Sequence, residues 1–374
     1  MSRVIPPQPP PHPAWKPPAI PTVWDDLLAG IHTPDDWARK RLAAKARFLE
    51  LIRDAAAPQP PQNKDLRVEQ EYAVPGLKIQ RITYNVEEDE RAQAYLALPP
   101  GAPPPEGWPG VICIHGTTNW GARRNVGLPP EPGDPHGDRQ VSGFDYAALL
   151  ARHGFATISP EHFCCASRLP AEGPYETGPF YRKHPRWSAV GKFCYENRSA
   201  FDILAAQPGV DARRIGVTGH SAGGQGSIWA AAYDERIQCA APACAYMTFR
   251  ADPDPLQWSR DYWYIYFPQL RERFLRGEQI ECDFHEMLAL IAPRPLLEFF
   301  ALNDCDPLSQ AHRTLLHVKV HELYRLLGRE DAHAFLVFGD GHTLPIFTQM
   351  TLLSWMERWL KYGGAMLGGW TPPY

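Results

Sequence analysis

No apolar run in this 374-residue chain reaches the roughly 18 residues that a membrane-crossing helix requires, so no span is expected. Neither sign of charge dominates. With 38 Lys and Arg against 42 Asp and Glu, the formal net charge is −4. The sequence therefore gives no electrostatic reason to expect nucleic acid or an anionic membrane as partner. None of the eight cysteines stands in a Cys-x-x-Cys pair, and no His, Cys and carboxylate residues fall at metal-ligand spacing. A zinc site, or any other metal or cofactor, is not expected. The first residues, Met-Ser-Arg-Val-Ile-Pro-Pro, lack an apolar signal core, which leans towards a cytoplasmic location. No internal repeat is present, and nothing in the sequence specifies an oligomeric state.

What the chain does have is proline and a good supply of apolar residues. Forty-four per cent hydrophobic content supports a sizeable core. Nine of the 40 prolines fall in residues 1–22, which should be extended and polyproline-like. Thr33-Pro34-Asp35-Asp36 then opens a helix: Thr33 caps, Pro34 takes the first turn, and the two acids face the helix dipole. Trp37, Leu42, Phe48, Leu49 and Ile52 give it an apolar side to about Ala56, before Pro58-Gln59-Pro60-Pro61. Residues 1–66 are thus expected to be a Pro-rich, helical extension to a catalytic domain spanning 67–374.

From about Val68 the pattern turns to strands, then to alternating strands and helices. Leu77–Tyr84 and Ala92–Leu98 read as an antiparallel pair. Val111–Ile114, Phe155–Ser159, Arg214–Thr218, Ile237–Pro242, Pro295–Ala301 and Ala334–Phe338 read as further strands. Between and after them, Phe144–His153, Lys192–Ala206, Ala311–Leu327 and Phe347–Leu360 read as helices. Apolar strands without alternation imply a mainly parallel sheet covered on both faces. Cys113 and Cys239 lie in such strands and act as small hydrophobes. The adjacent Cys164 and Cys165 read as two loop thiols, because a disulfide between neighbours is strained.

The most informative segment is Gly219-His220-Ser221-Ala222-Gly223-Gly224, between the strand Arg214–Thr218 and a helix over 225–233. With 29 Gly and 11 Ser in 374 residues, Gly-x-Ser-x-Gly should occur by chance about 0.07 times. A serine between glycines at a strand-to-helix corner is a nucleophile elbow, so tight that residues two places away must be small. The helix that follows aims its N-terminus at the serine, favouring a developing negative charge.

The strand ends downstream carry suitable partners. Leu302-Asn303-Asp304-Cys305-Asp306-Pro307 follows one strand, and Gly339-Asp340-Gly341-His342-Thr343 follows the last. His342 would take the Ser221 proton, and an aspartate would hold the imidazole tautomer. Asp304 is the preferred acid, with Asp306, one short step on, as the alternative; Asp340 reads as a turn-former. The strand Val111–Ile114 runs into His115-Gly116-Thr117-Thr118. One oxyanion donor would come from the N–H of Thr117 and the other from that of Ala222. His115 is read as ordering this loop.

These segments, with Gly209–Gly216 and Leu288-Ala289-Leu290-Ile291-Ala292-Pro293-Arg294-Pro295-Leu296-Leu297, resemble α/β-hydrolases of the dienelactone-hydrolase-like and acetyl-xylan-esterase-like branch. The likeness covers roughly residues 75–362. It implies the α/β-hydrolase fold, a mainly parallel sheet with helices on both faces, and it puts the family acid on Asp304. The chain departs from dienelactone hydrolases proper, which use a cysteine nucleophile, and lacks the Gly-Cys-Ser-Arg elbow of glucuronoyl esterases.

Two insertions should shape the pocket: Asn119–Gly143, with Trp120, Arg123 and Arg124 near its start, and the aromatic-rich Asp252–Glu281. Trp120, His162, Trp258 and Trp263 are the candidate substrate-binding residues, since aromatic faces with polar rims suit sugars or aromatic esters. Many of these aromatics would equally serve to pack the insertion on the core. The expected function is hydrolysis of a small carboxylic ester through an acyl-enzyme, on an acetylated carbohydrate or an aromatic ester. An amidase or peptidase with the same residues, or a non-hydrolytic or binding protein on the same fold, is the alternative.

Overall fold

The computed structural model describes residues 27–118, 120–129, 143–250, 252–305 and 307–364. The proline-rich segment, the middle of the first insertion and Asp306 lie outside them. Nine strands among these residues form one sheet: β1 (Arg67–Val74), β2 (Leu77–Glu87), β3 (Glu90–Leu98), β4 (Trp108–Ile114), β5 (Ala156–Pro160), β6 (Val210–His220), β7 (Cys239–Ala243), β8 (Leu296–Ala301) and β9 (His333–Phe338). Their order is β1-β2-β3-β5-β4-β6-β7-β8-β9. The first three strands pair antiparallel, and β3 pairs antiparallel with β5. From β5 to β9 every pairing is parallel.

Burial explains the strand composition. Every residue of β4, β5, β7 and β8 is buried, because helices cover both faces and no position is left to alternate with water. One face carries the helices Ala189–Ala205, Ala222–Tyr233 and Pro307–Leu326, and the other carries Tyr146–Arg152 and Ile346–Leu360. The chain leaves β4 towards β5 on one side and returns to β6 on the other. That reversal is the switch point at which parallel sheets open a crevice beyond their carboxyl ends.

The helix Pro34–Leu51 starts as the sequence dictates. Thr33 Oγ1 accepts the Asp36 N–H at 3.2 Å, and Asp36 Oδ2 accepts the Thr33 N–H at 2.9 Å. It ends at Leu51 rather than near Ala56, because Arg53 turns left-handed (φ 54°) and a 3-10 turn, Asp54–Ala56, follows. Leu42, assigned above to its apolar side, is 72 % exposed. Trp37, Ala44, Phe48 and Leu51 are buried and join the core of the sheet's helical layer.

Candidate active site

β6 ends at Ser221, whose φ of 60° and ψ of −123° give the sharp turn of an elbow. Such a conformation costs a non-glycine residue roughly 1–3 kcal/mol and persists only where the surroundings impose it. Here they do. The Ser221 N–H donates to Ala243 O on β7 at 2.9 Å. A Cβ on Gly223 would run into the Ile114 carbonyl oxygen of β4, and one on Gly219 into the Gly223 backbone. The helix Ala222–Tyr233 begins immediately, with Ser221 at its N-cap. Its far end is held by two cations: Lys45 Nζ donates to Ala232 O and Tyr233 O at 2.5 and 2.7 Å, and Arg294 Nη2 to Ala231 O at 2.7 Å. Positive charge at a helix C-terminus stabilises the macrodipole whose other end meets the serine. Arg294 belongs to the Ala-Pro-Arg-Pro run singled out in the sequence.

Beyond β8, Asp304 sits in a 3-10 turn, and beyond β9 His342 sits in a loop. The turns are tied by Asn303 N–H donating to Asp340 O at 3.1 Å. His342 Nδ1 lies 2.8 and 2.9 Å from the two Asp304 oxygens. An ionised carboxylate only accepts, so Nδ1 carries the proton and Nε2 is left to accept. Asp340 turns away: its Oδ1 accepts the N–H of Gly341.

The loop after β4 is clamped from several sides. His115 and His162 are both buried, with ring centroids 3.9 Å apart. His115 Nδ1 donates to Gly116 O at 2.7 Å, and its Nε2 accepts the His162 N–H at 3.1 Å. His162 Nε2 in turn donates to His115 O at 2.7 Å. These partners fix His115 as neutral, and burial pushes its pKa down to about 4 and that of His162 well below the ordinary histidine value. Tyr175 OH accepts the Thr118 N–H at 2.6 Å and donates to Thr118 O. Its ring stacks on Tyr264 at 4.7 Å, and Tyr264 OH accepts from Thr117 Oγ1 at 3.3 Å. The Thr118 amide is thereby occupied.

Thr117, Ser221 and His342 open on one cavity of about 290 Å³, lined also by Arg124, Asn125, Phe144 and His220. The four candidate substrate-binding residues are not among its walls. His162 is spent on His115. Trp258 is 2 % exposed, and its Nε1 donates to Asp252 Oδ2 at 2.7 Å. Trp263 is buried, and Trp120 is half-buried in a turn beside the loop. The aromatic insertion packs behind the β4 loop, because large rings gain more from burial against one another than from facing water.

Of the residues noted at the start of the first insertion, Arg124 is the one that lines the cavity. Its guanidinium stacks 3.6 Å from the Phe144 ring centroid, Phe144 meets His220 at 5.0 Å, and His220 meets His342 at 4.5 Å. Burial lowers its pKa to about 10, so it stays charged at neutral pH. Among the described residues no carboxylate pairs with it.

The fold also assembles two metal-capable clusters that no spacing reveals. One ligand atom from each of His220, Cys244 and His342 lies within 4.8 Å of the others, and the same holds for Glu298, His317 and His333. In the second cluster both histidines face one carboxylate, Glu298. Tyr246 OH donates to Glu298 Oε2 at 2.9 Å and His317 Nδ1 lies 2.8 Å from Oε1. Burial opposes the Glu298 charge, but the two histidines hold the carboxyl down to about 2.

No family model matches the chain. It is 25 % identical over 171 residues, 46 % of its length, to YtaP of Bacillus subtilis (strain 168), a hydrolase by name, covering 54 % of that protein. Over 197 residues it is 26 % identical to carbohydrate esterase MZ0003 of an unknown prokaryotic organism, covering 48 % of this chain and 44 % of that one. The chain thus spans about half the length of these relatives. A solved glucuronoyl esterase from Solibacter usitatus superposes with a TM-score of 0.69 over 92 % of this chain and 98 % of that one, at 19 % identity. Sheet order, elbow geometry and these likenesses agree that the chain has the α/β-hydrolase fold.

Proposed function

We propose that the chain is a serine hydrolase that cleaves a carboxylic ester of a carbohydrate through an acyl-enzyme. The observation that carries this reading is the bond from His342 Nδ1 to Asp304, beside a strained Ser221 in one cavity. In the mechanism, Ser221 Oγ attacks the ester carbonyl and passes its proton to His342 Nε2. Asp304 holds the tautomer and stabilises the imidazolium. The Thr117 and Ala222 amides take the oxyanion, a contribution of about 3 kcal/mol per donor. His342 returns the proton to the departing alcohol; a water then repeats the steps and frees the acid.

The carbohydrate assignment rests on the named activities of the carbohydrate esterase and glucuronoyl esterase relatives and on a polar cavity lined by the Arg124 guanidinium. Arg124 suits a sugar bearing an acidic group or a row of hydroxyls. A cavity of this size and polarity should favour acetyl to butyryl groups over acyl chains of about eight carbons. The test is turnover of a p-nitrophenyl ester series together with fluorophosphonate labelling. Stoichiometric label on Ser221 and faster cleavage of short esters are expected. Absence of label on Ser221 in folded protein would overturn the reading.

A further inference from the structure

We infer that His220, Cys244 and His342 form a zinc site across the mouth of the Ser221 cavity. Three ligand atoms, one from each residue, already lie within 4.8 Å of one another. Zinc holds nitrogen and sulfur ligands at about 2.0–2.3 Å, so tetrahedral ligands stand about 3.5 Å apart, and small side-chain rotations close the difference. The second observation is independent of the clustering. His220 is 4 % exposed, lines the cavity, and its Nε2 has no hydrogen-bond partner among the described residues. A buried ring nitrogen left without a partner normally costs free energy. A cation in the cavity would satisfy it.

The remaining members fit the same role. Cys244 directly follows β7 with φ 47°, a left-handed conformation, and its Sγ lies 3.9 Å from the Thr343 carbonyl oxygen. His342 has Nδ1 on Asp304, which leaves Nε2 as ligand, and a carboxylate behind a ligating imidazole is the usual outer partner of zinc. His342 is 46 % exposed in its side chain, so the ion has an entry path and a fourth position open to water. Nitrogen and thiolate donors select zinc over calcium or magnesium. Binding displaces the Cys244 proton, which leaves to solvent as zinc takes the thiolate. Zinc on Nε2 removes the acceptor of the Ser221 proton, so the bound ion is an inhibitor. This last consequence rests on the esterase reading above; the binding site does not.

The experiment titrates the metal-free full chain with cobalt(II), then zinc. A thiolate-to-cobalt charge-transfer band with four-coordinate ligand-field bands should grow in to one equivalent, and zinc should displace it. Cys244→Ser should lose the thiolate band and weaken zinc binding at least tenfold, while keeping its metal-free ester hydrolysis. Should Cys244→Ser not fold, His220→Asn should keep the thiolate band but weaken binding at least tenfold. In the wild-type protein, zinc should abolish ester turnover and chelation should restore it. No thiolate band in the wild-type protein, or binding undiminished in a folded variant, overturns the site. A band without ester turnover in metal-free protein leaves the site standing and removes the esterase reading instead.

Discussion

At the scale of single residues, the site depends on which proton each side chain is made to carry. Asp304 accepts from His342 Nδ1, and the His342 side chain lines the cavity. Asp304→Asn would present an amide that can donate, favouring the wrong tautomer. We expect kcat to fall by about 10⁴, with fluorophosphonate labelling slowed to match. A variant within tenfold of wild type would remove Asp304 from this role. Tyr175 acts one step back, through the backbone. Its hydroxyl holds both polar groups of Thr118 and so fixes the direction of the neighbouring Thr117 amide. Tyr175→Phe should lower kcat roughly tenfold, about 1.4 kcal/mol, while leaving KM nearly unchanged. Should KM rise in place of the fall in kcat, the loop serves binding instead.

At the scale of elements, the aromatic insertion and the charged network beside it do mechanical service. Trp258 touches Tyr266 and Phe284 and bonds buried Asp252, whose carboxyl burial raises to about 7. Trp258→Ala should cost about 3–5 kcal/mol of stability, read from the urea midpoint, with little change in the preference among esters by the protein that remains folded. A shift in acyl preference without loss of stability would put Trp258 back in the substrate pocket. Lys192, 1 % exposed, lies among Glu87, Glu90 and Glu196, and Arg168 joins Glu90 and Glu196 at 3.0 and 2.7 Å. These pairs pin the segment that carries Tyr175 to the β2–β3 hairpin. Lys192→Met should therefore destabilise by about 3–5 kcal/mol, because it strands buried carboxylates without their counter-charge.

For the molecule as a whole, three buried histidines set an acid limit. His115 titrates near 4 in the fold, and burial also holds His162 and His220 well below the ordinary histidine value. Unfolded, each would titrate near 6.5. Because the folded values are depressed, their full contribution is present above about 6.5. It is lost progressively as pH falls towards 4. At pH 5 the loss for His115 should be about 2 kcal/mol. The urea midpoint should drop between pH 7 and pH 5; an unchanged midpoint would mean these rings carry protons in the fold.

Much of this architecture was legible in the chain itself. The elbow was readable because only glycine fits where Gly219 and Gly223 meet β4 and each other, so sterics wrote the motif into local sequence. The buried parallel strands were readable because two covered faces demand unbroken apolar runs. The helix at Thr33 was readable because its cap lies within four residues of chain. Its end was not, since Arg53 turns left-handed without a glycine to announce it. The His220–Cys244–His342 cluster was not readable either. His220 ends β6, Cys244 follows β7 and His342 lies beyond β9, and only the sheet order brings those ends together. Local sterics and burial determine what each segment becomes; contacts between segments distant in the chain decide which side chains share a proton or a ligand.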